Sequence, residues 1–269
     1  MEIISVKKWE TLKKALLSVS SHRDKLADAP GFTPSNLLYR GLSNAEWNLD
    51  TTLERAPTSS LSLNSYYSKV LASRPQVEAF SDKRWELINL NKYREWLATI
   101  DDIWLSGFPG YEYMIYLRHH GFPSPLLDWT RSPYIAAFFA FSTPQQKTKN
   151  VALYCYMEYG VSGKSHRGGD SLITTIGPYA RSHRRHFLQQ CEYTICTKKE
   201  DDDMFYSNHE HVFDKEKQEQ DYLWKIVAPS SIAPEVLTEL DSMNINALSL
   251  YGSEDALIET ISFREFVQK

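Results

Sequence analysis

Cysteine is scarce in this chain. Cys155, Cys191 and Cys196 are the three among 269 residues, too few and too irregularly spaced for a disulfide framework or a zinc knuckle. A reducing cytosol is the simplest setting. Long apolar runs are missing as well. The longest lies at about 135–141, far short of the roughly 20 residues that a membrane-spanning helix needs. The opening MEIISVKKWETLKKALLSV has no apolar segment long enough for a secretory signal. A soluble, cytoplasmic protein is therefore expected. Basic charge is not in excess: 30 Lys and Arg stand against 34 Asp and Glu, for a net charge of −4 and a pI near 6.1. That excludes coating nucleic acid by bulk charge, although local basic patches are still open. No internal repeat is visible.

What the chain has instead is aromatic bulk. Sixteen Tyr and seven Trp supply large, rigid side chains for a core. Trp9, Leu12, Leu16, Val19 and Leu26 recur at helical spacing over 8–27 and predict an opening amphipathic helix, broken at 29–36 by two prolines. NLLYRGL (36–42) reads as a short strand, and WNLDTTLER (47–55) as a second extended piece. Residues 62–105 read as mainly helical, with Pro75 interrupting them. YEYMIYLRHH is a helix ending at Gly121. PSPLLDW reads as a connection into a helix over Pro133–Ser142, with Pro133 in its first turn. VALYCYMEY (151–159), HFLQQCEYTICT (186–197) and DYLWKIVAP (221–229) are strands, and a further helix covers Pro234–Leu240. Helices gather in the first half and strands in the second, without βαβ alternation. The expected fold is α+β, a mainly helical N-terminal half packed on an antiparallel or mixed sheet. One domain should span 1–269, with an exposed, mobile acidic insertion at 198–221.

Several local patterns resemble chemistry without supplying it. SGKS (162–165) lacks the glycine that a phosphate loop needs five residues before Gly163, where Glu158 stands. HEH (209–211) would place two imidazoles on one side of an extended segment, with no partner cysteine nearby. Cys191 and Cys196, five positions apart on an expected strand, should face opposite ways as buried thiols. RSHRRH (181–186) is either a solvated loop or a phosphate grip, since guanidinium groups bind phosphate oxygens in a two-point fork.

The segments LYRGL, WNLDTTLER, HHGFPSPLLDWTRSPYIAAFFAF, RHFLQQCEY and VAPSSIAPEVLTELDSMNINALSLYG share a pattern. Together they resemble the FRG-domain family, named for an aromatic-Arg-Gly motif. The resemblance runs from about Trp9 to Tyr251, outside the acidic insertion. It places the family's His on His119, its Gly and Pro on Gly121 and Pro123, and its LLDWT on Leu126–Thr130. The family's Gln-x-Gly-x-Phe element falls on Gln189, Cys191 and Tyr193. The chain departs from the pattern at Arg118, where members often have Gln, at Pro125, where they often have Arg, and at Cys191. A specificity of its own is one implication.

Ile135, Ala136, Phe138, Phe139 and Phe141 are expected core. His119, Asp128, Trp129, Thr130 and Arg131 stand at helix ends where polar groups can converge, and Asp128 or Thr130 is also a candidate helix cap. The order of YRG, DWT and Gln-Gln-Cys-Glu is similar to that in the ADP-ribosyltransferase superfamily. By that likeness, NAD is the expected substrate. Arg40 would bind its pyrophosphate or ribose, and Trp129 or Tyr193 would stack on nicotinamide, with Thr130 and Gln189 also against substrate. Glu192, or else Asp128, would steady an oxocarbenium-like transition state, and His119 would orient ribose or relay a proton. No metal is expected. The setting would be a bacterial toxin or anti-phage effector, with a protein or nucleic acid as acceptor and an antitoxin or other regulatory protein as partner. Two other readings stand beside this one. In one, Arg40, Asp128 and Gln189 form a buried network in a non-catalytic binding or regulatory module. In the other, His119, Asp128 and the 181–186 patch serve a nucleic-acid phosphodiesterase.

Overall fold

Alternating apolar residues do form the strands, and the registers between strands decide which side chains meet. A computed structural model describes residues 1–28, 33–57, 61–100, 107–142, 148–160, 164, 169–177, 184–201, 203–213 and 220–268. The chain begins with β1 (Glu2–Ser5), α1 (Trp9–Ala27), β2 (Leu37–Leu42), α2 (Leu63–Ser81), α3 (Leu90–Thr99) and α4 (Tyr111–His119). It continues with β3 (Leu127–Thr130), α5 (Pro133–Phe141), β4 (Asn150–Tyr159), β5 (Leu172–Ile176), α6 (Arg184–Leu188), β6 (Cys191–Glu200) and β7 (Asp203–Tyr206). Last come α7 (Glu210–Phe213), β8 (Gln220–Pro229), α8 (Ala233–Ser242), α9 (Ala247–Tyr251) and α10 (Glu254–Phe266).

The fold is α+β. One mixed sheet runs in the order β1-β8-β4-β2-β3-β6-β5, with β7 paired to β6. β1 lies parallel to β8, and the other pairs are antiparallel. Residues paired across antiparallel strands share a face. Tyr39 pairs with both Thr130 and Cys155, and Thr130 with Cys191, so these four side chains look the same way. Two apolar layers sit side by side on that face. Trp9, Leu12, Ala136, Ala140, Leu153, Ile226, Val236 and Leu250 form one. Tyr66, Tyr67, Tyr93, Tyr113, Met114, Tyr193 and Ile195 form the other. The opposite face carries Leu38, Trp129, Tyr154, Tyr156, Ile173 and Cys196, closed over by Leu49, Val212 and Phe213. Cys191 and Cys196 thus fall on opposite faces, both as buried thiols.

Aromatics supply core volume as expected, and some of their polar tips tie elements together. Tyr67 stacks on Tyr93 with ring centroids 3.8 Å apart, while its hydroxyl donates to the Ile88 carbonyl. Tyr66 donates to the carbonyl of Pro123 at 2.8 Å, tying α2 to the turn after α4. That turn is a Schellman end. Phe122 N–H bonds the Leu117 carbonyl and Gly121 N–H the Arg118 carbonyl, with Gly121 at φ +85 as the left-handed residue.

Four local expectations change. LLDWT is a strand in the middle of the sheet and not a connection, because its neighbours β2 and β6 satisfy its backbone on both sides. The strand expected over 186–197 begins only at Cys191, after the short helix α6. Residues 52–55 form turns and not an extended piece. Pro75 lies inside α2 without ending it. It is exposed, so the helix carbonyl it leaves without an N–H can meet water. Within 198–221, β6 and β7 form a hairpin and His209, Val212 and Asp221 are buried; residues 214–219 lie outside the described residues. Among the described residues, no helix is long and apolar enough to cross a membrane.

Candidate functional site

The two helical layers leave a cleft between them, with the middle of the sheet as its floor. Its volume is about 270 Å³. Tyr39, Arg40 and Gly41 come from β2, and Asp128 and Thr130 from β3; His119 stands at the end of α4, and Gln189 and Arg185 at α6. Gly41 allows the floor to form. A Cβ there would lie 1.9 Å from the Ala136 carbonyl oxygen, so α5 rests directly on the β2 backbone. Ser132 caps α5 by accepting the Ile135 N–H, and Pro133 opens the helix. The capping role considered for Asp128 and Thr130 belongs to Ser132, whose own N–H is held by Thr130 Oγ1.

Asp128 is the charged centre. Arg40 Nη1 donates to Asp128 Oδ1 at 2.7 Å and to its backbone carbonyl at 2.6 Å, where Tyr39–Thr130 is the register pair that joins β2 to β3. Arg118, from the last turn of α4, donates to the same Oδ1 and also holds Thr52 Oγ1 at 3.1 Å. Burial pushes the Asp128 carboxyl up, but the Arg118 and Arg40 charges overcome this and hold it well below the usual carboxylate range. Asp128 is therefore a carboxylate at neutral pH, with two guanidinium groups against it. In sequence, Arg118 is a departure from the family pattern. Its role was not legible because its partner lies ten positions on, beyond a turn.

His119 Nε2 and the Tyr193 hydroxyl are 3.1 Å apart, and that hydroxyl also lies 3.5 Å from His186 Nδ1. Thr130 Oγ1 donates to the Gln189 carbonyl at 2.7 Å, and the Gln189 amide donates to the Leu250 carbonyl at 3.2 Å. Cys191 reaches the cleft, but burial pushes its thiol up to about 12, which leaves it a poor nucleophile. The walls add Phe139, expected only as core, Arg185 from the basic patch, and Tyr251, not singled out from sequence, with the Arg185 guanidinium 5.5 Å over the Tyr251 ring.

Arg40, His119, Asp128, Thr130 and Gln189 thus converge. Tyr193 lies beneath them, fully buried. Trp129 contributes to the lining, but its ring packs on the other face, stacked on Tyr156, with Nε1–H donating to Thr194 Oγ1. Glu192 is not with them. It pairs with Trp129 across β3 and β6, is held by Arg131 at 2.7 Å, and opens onto a different hollow with Glu158 and Arg23. Of the basic patch, 181–183 lie outside the described residues. His209 of the HEH motif is buried against Thr194, and the side chain of His211 lies outside the described residues. Among the described residues, no group of three His, Cys, Asp or Glu side chains could hold a metal.

No curated protein and no solved structure matches this chain. The Gln189, Cys191 and Tyr193 element lies beyond the stretch that a family model does match. That stretch is 35–149, which carries the Tyr39-Arg40-Gly41 triplet, His119 and the LLDWT strand, and over these residues the chain is similar to the family whose model is described as FRG domain.

Proposed function

We propose that the cleft binds a phosphate-bearing nucleotide of the NAD class and that the chain transfers the ADP-ribosyl group from it. The convergence of Arg40, Asp128 and His119 on one floor, with Arg118 paired to Asp128 from α4, carries this reading. Two guanidinium groups against one carboxylate leave a net positive floor, and Arg185 adds to it from the wall. Phosphate oxygens suit such a site. The volume of about 270 Å³ lies just under the roughly 300–1,000 Å³ of pockets for drug-sized ligands. One half of a dinucleotide fits inside, and the other half would lie across the mouth.

In the transfer, the bond from ribose C1′ to nicotinamide breaks and a bond from C1′ to the acceptor forms. Nicotinamide leaves without needing a proton. The carboxylate role considered for Glu192 passes to Asp128, which stays ionised to face positive charge developing on the ribose. His119 takes the proton from the acceptor, a protein or nucleic acid, with the Tyr193 hydroxyl orienting its ring. A bacterial toxin or anti-phage effector, restrained by an antitoxin, is the setting in which such a transfer would act.

A second reading is favoured by one specific contact. Arg40 also bonds the Asp128 backbone carbonyl, so Arg40, Asp128 and Arg118 hold β2, β3 and α4 together whatever the cleft binds. The deciding experiment is isothermal titration of NAD, ATP and a short RNA into the wild type, Arg185→Ala and Arg40→Ala, with melting curves for each. NAD binding in the micromolar range, weakened about tenfold (about 1.4 kcal/mol) by Arg185→Ala in a folded protein, supports the transferase. A folded wild type that ignores NAD sinks it. RNA binding alone would then point to the phosphodiesterase, and unfolding of Arg40→Ala without any binding to the structural network.

A further inference from the structure

A second polar cluster lies away from the cleft, where β5 comes over the far end of β4. The register of β4 on β8 sets Met157 opposite Tyr222 and Tyr159 opposite Gln220. Glu158 and Asp221 therefore face each other on neighbouring strands, with side chains only 5% and 2% exposed. Like charges directly opposite one another destabilise a sheet, and burial strengthens the repulsion. A single ammonium bridges them. Lys164 Nζ is 2.7 Å from Asp221 Oδ1 and 3.3 Å from Glu158 Oε1, and it also donates to the Ile173 carbonyl. The Asp221 carboxyl is held from both sides. Tyr156 donates its hydroxyl proton to Oδ1 at 2.8 Å, and the Gln220 amide donates to Oδ2 at 3.3 Å. Glu158 Oε1 accepts the Thr175 N–H at 3.0 Å. Asp221 sits at φ +53, a left-handed backbone that costs energy in a non-glycine residue and is kept only where its surroundings enforce it.

An amine and a carboxyl held in contact away from water, beside a second carboxylate, are the parts of a condensation. We propose that Lys164 and Asp221 join as an intramolecular amide, with Glu158 carrying the proton. In the first step a proton passes from Lys164 to Asp221 along their hydrogen bond, giving an amine with a free lone pair and a carboxylic acid. The Nζ lone pair adds to Asp221 Cγ, forming the N–C bond, and an Nζ proton moves to Glu158. The Tyr156 and Gln220 donors stabilise charge on the Asp221 oxygens as the carbon becomes tetrahedral. Glu158 returns its proton to the departing hydroxyl, the C–O bond breaks, one water leaves, and Glu158 ends as it began. No oxidant or activating nucleotide is consumed. Holding the two groups in place is worth an effective concentration of about 10⁵–10⁸ M.

The test is the intact mass of the purified full chain under denaturing conditions, on a preparation that melts cooperatively. The wild type should be lighter than its sequence by one water, and a digest should contain a branched peptide joining Lys164 to Asp221. Lys164→Arg and Glu158→Gln should both keep their full sequence masses. A wild type at full sequence mass overturns the proposal. So does a lost water that Lys164→Arg retains, since that dehydration would be a succinimide formed without the lysine.

Discussion

Gly41 shows what one missing side chain does for the site. The added Cβ would meet the Ala136 carbonyl oxygen at 1.9 Å and the Ala140 nitrogen at 2.7 Å, both backbone atoms of α5. No rotamer change can relieve that contact, so the helix would have to lift from the sheet. Gly41→Ala is expected to cost about 3 kcal/mol, at the upper end for overpacking, and to lower Tm clearly in a circular-dichroism melt. An unchanged Tm would mean that α5 does not depend on this approach. The aromatic-Arg-Gly triplet was legible in the sequence, but the reason for its glycine was not, because the clash comes from a helix about 95 positions further on. Arg40, His119 and Asp128 were recognisable because each sits inside a compact motif. Glu192 is the member of that set that lies outside the cleft. Strand alternation alone separates it from Cys191 and Tyr193, whose side chains point towards the cleft side of β6.

Elements were legible where period and punctuation agreed. α1, α4, β4 and β8 fall close to their expected bounds, since long periodic patterns and a glycine stop give consistent signals. β3 failed that test because four residues are too short to display a period, and LLDW reads equally well as a connection. Its strand state is set by neighbours that come from distant sequence. α6 failed for the converse reason: the apolar spacing of HFLQQ fits a strand, yet Arg185 O to Gln189 N closes a helical turn. The element that seats the cleft is α5, and its start rests on Ser132, whose hydroxyl accepts the Ile135 N–H at 3.3 Å. Removing an N-cap hydroxyl costs about 1 kcal/mol. Ser132→Ala should therefore lower stability by that amount in urea denaturation, with an unchanged dependence on denaturant. A threonine there should restore most of the loss. If Ser132→Ala is neutral, the Pro133 start alone holds the helix.

At the scale of the whole molecule, the sheet buries ionisable groups on both faces, and stability must follow their protonation. His209 is fully buried, its Nε2 sharing a hydrogen bond with Thr194 while Nδ1 has no partner among the described residues. Burial, helped by the positive charges of Arg40 and Lys164, pushes its pKa down to about 3 from the ordinary 6.5. The folded chain therefore refuses a proton that the unfolded chain accepts between those two values. Stability contributed by the neutral imidazole is complete above pH 6.5 and is lost as pH falls towards 3, at about 1.4 kcal/mol per pH unit. Asp128 acts in the same direction but lower down, since its depressed carboxyl pKa costs stability only below about pH 4. The two contributions therefore separate on the pH axis. Urea denaturation at pH 7, 6, 5 and 4 should show a decline that begins near 6.5, and His209→Gln, which keeps a polar partner for Thr194 but cannot titrate, should flatten it down to pH 4. A decline of the same slope in His209→Gln would assign the acid sensitivity to other groups and remove His209 from the account.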